Sequence, residues 1–399
     1  MKKNNKTPKL RFSGYTDDWE QRKFADFTWD AGKRNKEDLD LEPYAITNEH
    51  GFIRQCDAHD DFGYMKDTDR KAYNIVQPNS FAYNPARINV GSIGYYKGVE
   101  NVIVSSLYEV FQTDNYVNDR FLWHWFKSDE FPRWIERLQE GSVRLYFYYD
   151  KLCECQLYMP SLEEQEKMAS FLDALDHLIT LHQCKLEKLQ NMKKSCLQKM
   201  FPKDGATVPE IRFSEFQGDW EERTLGSCFD ERLESLPDGE LLSVTIGSGI
   251  KKFSELDRHD NSNTDKSKYK RVCIGDIAYN SMRMWQGASG RSPYEGIVSP
   301  AYTVVKPIGD IDTQFFAYMF KKKEIIHLFE INSQGLTSDT WNLKYPAFSK
   351  IVVRVPRNVE EQSRIARFLL ELDEFISCTE QEIEITKRMK KGCLQKMFV

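Results

Sequence analysis

Few side chains in this sequence have the types and spacing that enzyme chemistry requires. An adenine methyltransferase would carry an Asn/Asp-Pro-Pro-aromatic loop, but the nearest strings, YNPAR at 83–87 and SPAY at 299–302, lack the second proline. The glycines of TIGSGIK at 245–251 are one short of a dinucleotide fingerprint and lack the Lys-Ser/Thr pair of a phosphate loop. We therefore expect no catalytic residues in this chain.

Metal binding is not indicated either. His177, His182 and Cys184 fall at spacings of five and two in a helical stretch, so they cannot all face one ion. The nine cysteines are scattered and never spaced CxxC, unlike those of a zinc ribbon. We expect no metal and no cofactor in the chain itself.

Composition places the chain among ordinary globular proteins. It has 399 residues, 40% of them hydrophobic, and no apolar run approaches the roughly 18 residues of a membrane span. We expect a cytoplasmic protein that does not contact membranes. The net charge of −5 means that any nucleic-acid binding must use a locally positive face or partner subunits.

The chain is a tandem repeat of itself. PKLRFSGYTDDWEQR at 8–22 recurs as PEIRFSEFQGDWEER at 209–223, and KKSCLQKMF at 193–201 recurs as KKGCLQKMF at 390–398. In each half, short β-branched runs mixed with helical segments precede a strongly helical stretch. We predict a mixed α/β fold of two similar globular domains, 1–157 and 203–355, with long helices at 158–202 and 356–399.

Each helical stretch carries an apolar stripe typical of a coiled coil. Capping boxes are predicted where the helices begin, pairing Ser161 with Glu164 and Asn358 with Glu361. We expect the two helices to pack on each other as an antiparallel coiled coil, with the LQKMF ends available to partner proteins. The predicted seams are Met168, Phe171, Leu175, Leu178, His182, Leu186, Leu189, Met192 and Cys196, and Ile365, Phe368, Leu372, Phe375, Thr379, Ile383, Met389 and Cys393.

Three features together resemble the specificity subunit of type I restriction-modification enzymes. They are the opening RFSGYTDDWEQRK, the (S/N)xEEQ helices ending in KKxCLQKMF, and MRMWQGASGRSPYEGIVSPAY at 282–302. The first two are duplicated, so the resemblance covers essentially the whole chain. It implies that each globule is a target recognition domain for one half of a split sequence in double-stranded DNA.

The resemblance also implies the partners. The helices would set the gap between the half-sites and dock two modification (methyltransferase) subunits. S-adenosylmethionine, ATP and Mg would be bound by the modification and restriction (translocase/nuclease) subunits, which perform methylation, translocation and cleavage. Two alternatives stay open: a coiled-coil protein scaffold without DNA specificity, and a self-contained DNA methyltransferase or nuclease.

Candidate DNA contacts are polar and aromatic side chains in loops where the halves differ or where basic and aromatic residues interleave. Arg87 and Arg283 are the strongest of them, because they lie at equivalent positions before Gly91 and Gly287, where the backbone can approach DNA closely. The full set is Lys33, Arg34, Arg54, Arg87, Asn89, Lys97, Arg144 and Tyr146 in the first half, and Lys251, Lys252, Arg283, Trp285, Gln286, Arg291, Thr337, Ser338 and Asn342 in the second.

Overall fold

The computed structural model describes residues 7–48, 51–58, 70–203, 205–247, 249–257, 259, 265–337 and 340–399. The chain divides into two units, each with its own core. Unit 1 contains Met1–Gln183 and Gln381–Val399, and unit 2 contains Cys184–Glu380. Each unit therefore combines the globular part of one repeat with the end of the long helix of the other repeat.

Unit 1 is built from short strands and helices. The order β3-β6-β9-β4-β5 forms one sheet, β2-β10-β7-β8 forms a second, and β1 pairs with β11. The strands are β1 (Glu20–Lys23), β2 (Thr28–Asp30), β3 (Lys33–Arg34), β4 (Pro43–Thr47), β5 (Gly51–Arg54), β6 (Asn74–Val76), β7 (Phe81–Tyr83), β8 (Ile93–Tyr95), β9 (Val102–Val104), β10 (Glu109–Thr113) and β11 (Gln156–Met159). The helices are α1 (Gln55–Ala58), α2 (Asp119–Phe126), α3 (Glu130–Leu138), α4 (Tyr149–Glu154) and the long α5 (Leu162–Lys199).

Unit 2 repeats two of these three sheets, and in place of the five-stranded sheet it has two separate pairs, β14-β15 and β16-β19. The order β13-β20-β17-β18 matches the four-stranded sheet of unit 1, and the pair β12-β21 matches β1-β11. The strands are β12 (Glu221–Thr224), β13 (Phe229–Glu231), β14 (Leu242–Thr245), β15 (Gly249–Lys252), β16 (Lys270–Val272), β17 (Ile277–Asn280), β18 (Ser289–Arg291), β19 (Gly296–Val298), β20 (Tyr302–Pro307) and β21 (Val352–Val355). The helices are α6 (Leu225–Cys228), α7 (Thr313–Met319), α8 (Lys323–Ile331), α9 (Tyr345–Phe348) and the long α10 (Val359–Met397).

The glutamates of the predicted capping boxes do not reach back to their caps. Glu164 accepts two hydrogen bonds from the Arg11 guanidinium, at 2.7 and 2.8 Å, and Glu361 accepts the same pair from Arg212. Both carboxylates are buried, and a two-pronged guanidinium bond satisfies a buried carboxylate better than one backbone amide does. Only the cap side of the prediction holds, since the Ser161 hydroxyl accepts from the Glu164 amide at 3.4 Å.

The glutamine that follows each of these glutamates connects the long helix to a shorter one. Gln165 accepts from the backbone amide of Asn118 at 2.8 Å, and Asn118 is the N-cap of α2. Gln362 accepts in the same way from Asp312, the N-cap of α7, at 3.1 Å. The repeated EEQ string is therefore a structural junction in each unit.

The long helices pair antiparallel within each unit. In unit 1 Asp176 forms an ion pair with Lys390, and in unit 2 Asp373 forms the equivalent pair with Lys193. Most of the predicted seam residues, such as Met168, Leu175 and Leu372, are buried or partly buried, but the prediction fails at five positions. Leu172 and Ile179 turn inward in α5, as Leu369 and Ile376 do in α10, and the predicted seam residues Phe171, Leu178, Met192, Phe375 and Met389 are exposed. Apolar residues adjacent in sequence, such as Phe171 and Leu172, made the stripe ambiguous, because they lie about 100° apart on a helix.

The LQKMF ends are not free for partners, contrary to the expectation from the sequence. Met397 and Phe398 are buried in the core of unit 1, where the Phe398 ring lies 5.4 Å from that of Phe121. Met200 and Phe201 enter the core of unit 2 in the same way. Each globular core is thus completed by the end of the other repeat's helix.

We predict that Glu361→Ala destabilises the protein strongly. The change leaves the Arg212 guanidinium largely buried without its carboxylate, which typically costs about 3 kcal/mol. Glu360→Ala, at an exposed neighbouring position, is the matched control and should change the free energy of unfolding by less than about 0.5 kcal/mol. Urea unfolding followed by tryptophan fluorescence measures both, and equal midpoints for the two variants would contradict this assignment.

Candidate nucleic-acid interface

Arg87 and Arg283 begin equivalent turns in the two units. A single 3-10 turn follows each arginine and ends at Gly91, with φ +89°, or at Gly287, with φ +79°. This left-handed conformation is the reason for glycine at both positions. Both arginine side chains are exposed, so the turns present a cation to solvent at matching places.

An irregular loop lies beside each of these turns. In unit 1, loop A (residues 141–145) is closed by a bridge between Glu140 and Tyr146. In unit 2, loop B (the described residues 335–337, 340 and 341) is closed by a bridge between Gln334 and Asn342. The amide of Phe147 donates to the Pro85 carbonyl at 3.0 Å, and that of Leu343 donates to the Ser281 carbonyl at 2.8 Å. These bonds hold each loop against the turn that carries Arg87 or Arg283.

In unit 1 the turn and loop A border a cleft of about 600 Å³. Of the predicted DNA contacts, it brings together Arg34, Arg87, Arg144 and Tyr146. Arg34 is oriented by hydrogen bonds to the carbonyls of Ala72, at 2.6 Å, and Ser106, at 3.3 Å. Three guanidinium groups around one cleft suit phosphates and the acceptor edge of guanine.

The same cleft contains acceptors and an aromatic surface. Tyr146 and Tyr148 stack with their ring centroids 5.5 Å apart and their planes 3° from parallel. Asp30 and the half-buried Glu109 line the cleft as well. Burial raises the pKa of the Glu109 carboxyl, and repulsion from Asp30 and Asp150 raises it further, against an opposing effect of Arg34. The cleft can therefore both donate to and accept from a base edge.

The equivalent place in unit 2 carries different side chains. Trp285, in the turn after Arg283, makes an edge-to-face contact with Trp341 of loop B at 5.3 Å between centroids. The Oδ1 atom of Asn342 is buried without a hydrogen-bond partner among the described residues. The two units thus share one backbone frame and present different chemistry.

Other predicted residues lie apart from these two centres. Burial lowers the pKa of Lys97, and the positive charge of the nearby Arg120 guanidinium lowers it further. Arg291 donates to the Thr313 hydroxyl at 3.0 Å, and Lys252 lies over the Tyr294 ring. A hydrogen bond with the Tyr44 side chain is the largest cause of the raised pKa of Arg54.

The remaining predicted contacts occupy exposed or partly exposed positions. Lys33 is on β3 and Lys251 on β15, and Asn89 and Gln286 are within the two arginine turns. Thr337 is in loop B, where its amide donates to the Thr340 hydroxyl at 3.1 Å. Ser338 lies outside the described residues.

Sequence reasoning missed part of each centre. Asp30, Glu109 and Tyr148 in unit 1 and Trp341 in unit 2 were not among the candidates. Tyr148 belongs to the aromatic run YFYY, and its alternate spacing from the candidate Tyr146 was a sequence signal that could have identified it. Asp30 and Glu109 approach only because β2 and β10 are neighbours, and no local pattern indicates that pairing.

One group of potential metal ligands comes together in the part of the chain that the structure describes. The ligand atoms of His124, Asp173 and Asp176 lie within 4.8 Å of one another. Arg120 pairs with Asp173, however, and Lys390 pairs with Asp176, so both carboxylates already have cationic partners. The donor set fits an ion-pair network better than a metal site.

Comparison with known proteins agrees with this geometry. Residues 17–191 match the family described as the Type I restriction modification DNA specificity domain. The chain is 22% identical over 413 aligned residues to the Type I restriction enzyme MjaVIII specificity subunit of Methanocaldococcus jannaschii, covering 94% of this chain and 91% of that protein. It also shares its fold with the type I restriction-modification S subunit from M. genitalium, with a TM-score of 0.58, 16% identity, and coverage of 98% of this chain and 99% of that one.

These similarities support a DNA-recognition subunit. The family match covers the first repeat, and the second repeat carries the same motifs in the same order. Over nearly its whole length the chain is similar to specificity subunits of type I restriction-modification enzymes. Neither the scaffold nor the methyltransferase or nuclease alternative is favoured by this match. Among the described residues, no helix is both long and apolar enough to span a bilayer.

We predict that Glu109→Gln stabilises unit 1 in a pH-dependent way. Because the pKa of this carboxyl is raised in the folded state, the free energy of unfolding of the native protein falls as pH rises through that pKa. The variant should therefore melt at a higher temperature than the native protein at pH 8, with a smaller difference at pH 5. Glu37→Gln, at an exposed position, is the control. A difference that grows on acidification would contradict this sign.

Proposed function

We propose that each unit reads one block of a bipartite, asymmetric DNA target. Unit 1 would use Arg34, Arg87, Arg144 and Tyr146 around its cleft, and unit 2 would use Arg283, Trp285 and Asn342 beside loop B. The observation that carries the proposal is the equivalence of the two arginine turns with unequal surroundings. Two units that share a fold but present different side chains favour a DNA target whose two blocks differ in sequence.

The other predicted side chains serve as backbone contacts in this proposal. Basic and neutral polar groups outside the two centres bind DNA phosphates and so fix the register, whereas contacts to base edges specify the sequence. They are Lys33, Arg54, Asn89 and Lys97 in the first half, and Lys251, Lys252, Gln286, Arg291, Thr337 and Ser338 in the second.

The long helices would set the gap between the blocks and dock two modification subunits. The exposed apolar residues of α5 and α10, including Phe171, Leu181, Phe375 and Ile385, support a protein contact there, because isolated helices gain nothing from exposing them. We assign residues 1–157 and 203–355 to target recognition and 158–202 and 356–399 to the spacers. Methylation with S-adenosylmethionine and Mg- and ATP-dependent restriction would belong to the partner subunits, in the cytoplasm.

The test is methylation of random DNA by the complex reconstituted with its modification subunits. Sequencing of the methylated sites should return two fixed blocks of different sequence, separated by a gap of constant length. One continuous block, or methylation with no fixed sequence, would contradict the two-reader proposal.

Arg87→Ala and Arg283→Ala form a matched pair of variants. Each should weaken discrimination at its own block by about 1–3 kcal/mol, the usual value of one bidentate base contact, and leave the other block unchanged. Arg133→Ala, on α3, is the control, since its side chain is exposed and pairs with Glu130. Competition binding of the complex to duplexes with one block scrambled measures this. A loss that is equal for all sequences, with a shallower salt dependence, would show a phosphate contact instead.

A further inference from the structure

Unit 2 contains a lysine whose ammonium group is enclosed by backbone. Lys321 follows α7, and its Nζ donates to the carbonyls of Gly287 at 2.7 Å, Ser289 at 2.8 Å and Ile246 at 3.0 Å. An ammonium group has three N–H donors, so these three acceptors use its full capacity.

The three carbonyls come from two separate turns. Gly287 ends the turn that begins at Arg283 and contains Trp285, and Ser289 begins β18 directly after it. Ile246 lies in the turn between β14 and β15, and β15 carries Lys251 and Lys252. One side chain therefore ties both candidate DNA-contacting turns to the end of α7.

Unit 1 is built differently at the equivalent place. The counterpart of Lys321 is Lys127, whose ammonium lies 4.6 Å from the centroid of the Trp123 ring. Trp123 occupies the position equivalent to Ala317. The Cη2 atom of its ring lies 3.7 Å from the position that a Cβ atom added to Gly51 would take. A bulky ring thus fills the space beside the β4-β5 turn in unit 1, where unit 2 uses the lysine.

We propose that Lys321 is a positioning residue for DNA reading by unit 2, holding the Arg283 turn and the β14-β15 turn in the arrangement that meets the second block. This inference rests on the proposed function. Lys321 acts through the two backbone turns and does not itself contact DNA.

Burial, together with the charged groups around Lys321, makes its hydrogen bonds sensitive to pH. Lys193 of α5 repels it, although Asp373 of α10 pairs with Lys193, and Lys322, Lys323 and Glu324 share the same cavity. Burial, followed by the charge of Lys193, lowers the pKa of Lys321 to about 8. The neutral amine has only two N–H donors, so at least one of the three carbonyls loses its bond above that pH.

The experiment uses the reconstituted complex and three duplexes: the full target, the target with the first block scrambled, and the target with the second block scrambled. Lys321→Met keeps the apolar stem and removes the donors. It should reduce discrimination at the second block roughly tenfold, the effect of misplacing one base contact, and leave the first block unchanged. Lys127→Met is the matched control, and it should leave discrimination at the second block unchanged.

A pH series tests the same point without any substitution. Between pH 7 and pH 9 the native complex should lose discrimination at the second block, and Lys321→Met should show a flat profile there. A flat native profile, or equal losses at both blocks in Lys321→Met, would overturn the assignment. If the native complex shows no preference at the second block at pH 7, the proposed function itself fails, independently of Lys321.

Discussion

The buried arginine-glutamate pair is the contact on which each unit depends. It joins the RFS motif at the start of a repeat to the first turn of the long helix, through Arg11 and Glu164 in unit 1 and Arg212 and Glu361 in unit 2. A buried ion pair contributes little net stability compared with an apolar substitute, but it tolerates no loss of one partner. Its repetition at both sites indicates that it fixes where the helix begins relative to the sheet, and the adjacent glutamine then fixes α2 or α7.

The ends of the long helices impose a second constraint. The amide of Leu10 donates to the Lys396 carbonyl, and that of Ile211 donates to the Lys199 carbonyl, both at 2.9 Å. The start of each repeat is therefore bonded to the helix end of the other repeat. With Phe398 and Phe201 in the two cores, neither globular part has a complete core without the other half of the chain. This interdependence explains why KKxCLQKMF is nearly identical in the two repeats: both copies perform the same packing task.

The sequence predicted the repeat, the mixed fold and the paired helices because these follow from periodicity and from repeated strings. It did not predict the partner of Glu164, because spacing of three residues identifies a possible cap but cannot reveal an arginine 153 positions away. The seam was misplaced where two apolar residues are adjacent, since both satisfy a spacing of three or four. The turn after Arg87 was indicated because a glycine follows at turn spacing, whereas the position of Glu109 beside the cleft was not indicated, because its approach to Asp30 depends on strand pairing.

The acidic total charge is compatible with DNA reading because of how the basic residues are used. Arg11, Arg120, Arg212 and Lys390 are paired with internal carboxylates, and these cations stabilise the fold. In the part of the chain that the structure describes, neither Arg87 nor Arg144 forms an ion pair, and both border the cleft of unit 1. Such charges act over roughly 8–10 Å at physiological salt, so they favour DNA that is already docked against the cleft. The net charge of −5 opposes binding to DNA at longer range. Under the proposed function, the chain therefore gains its discrimination from close contacts and not from its net charge.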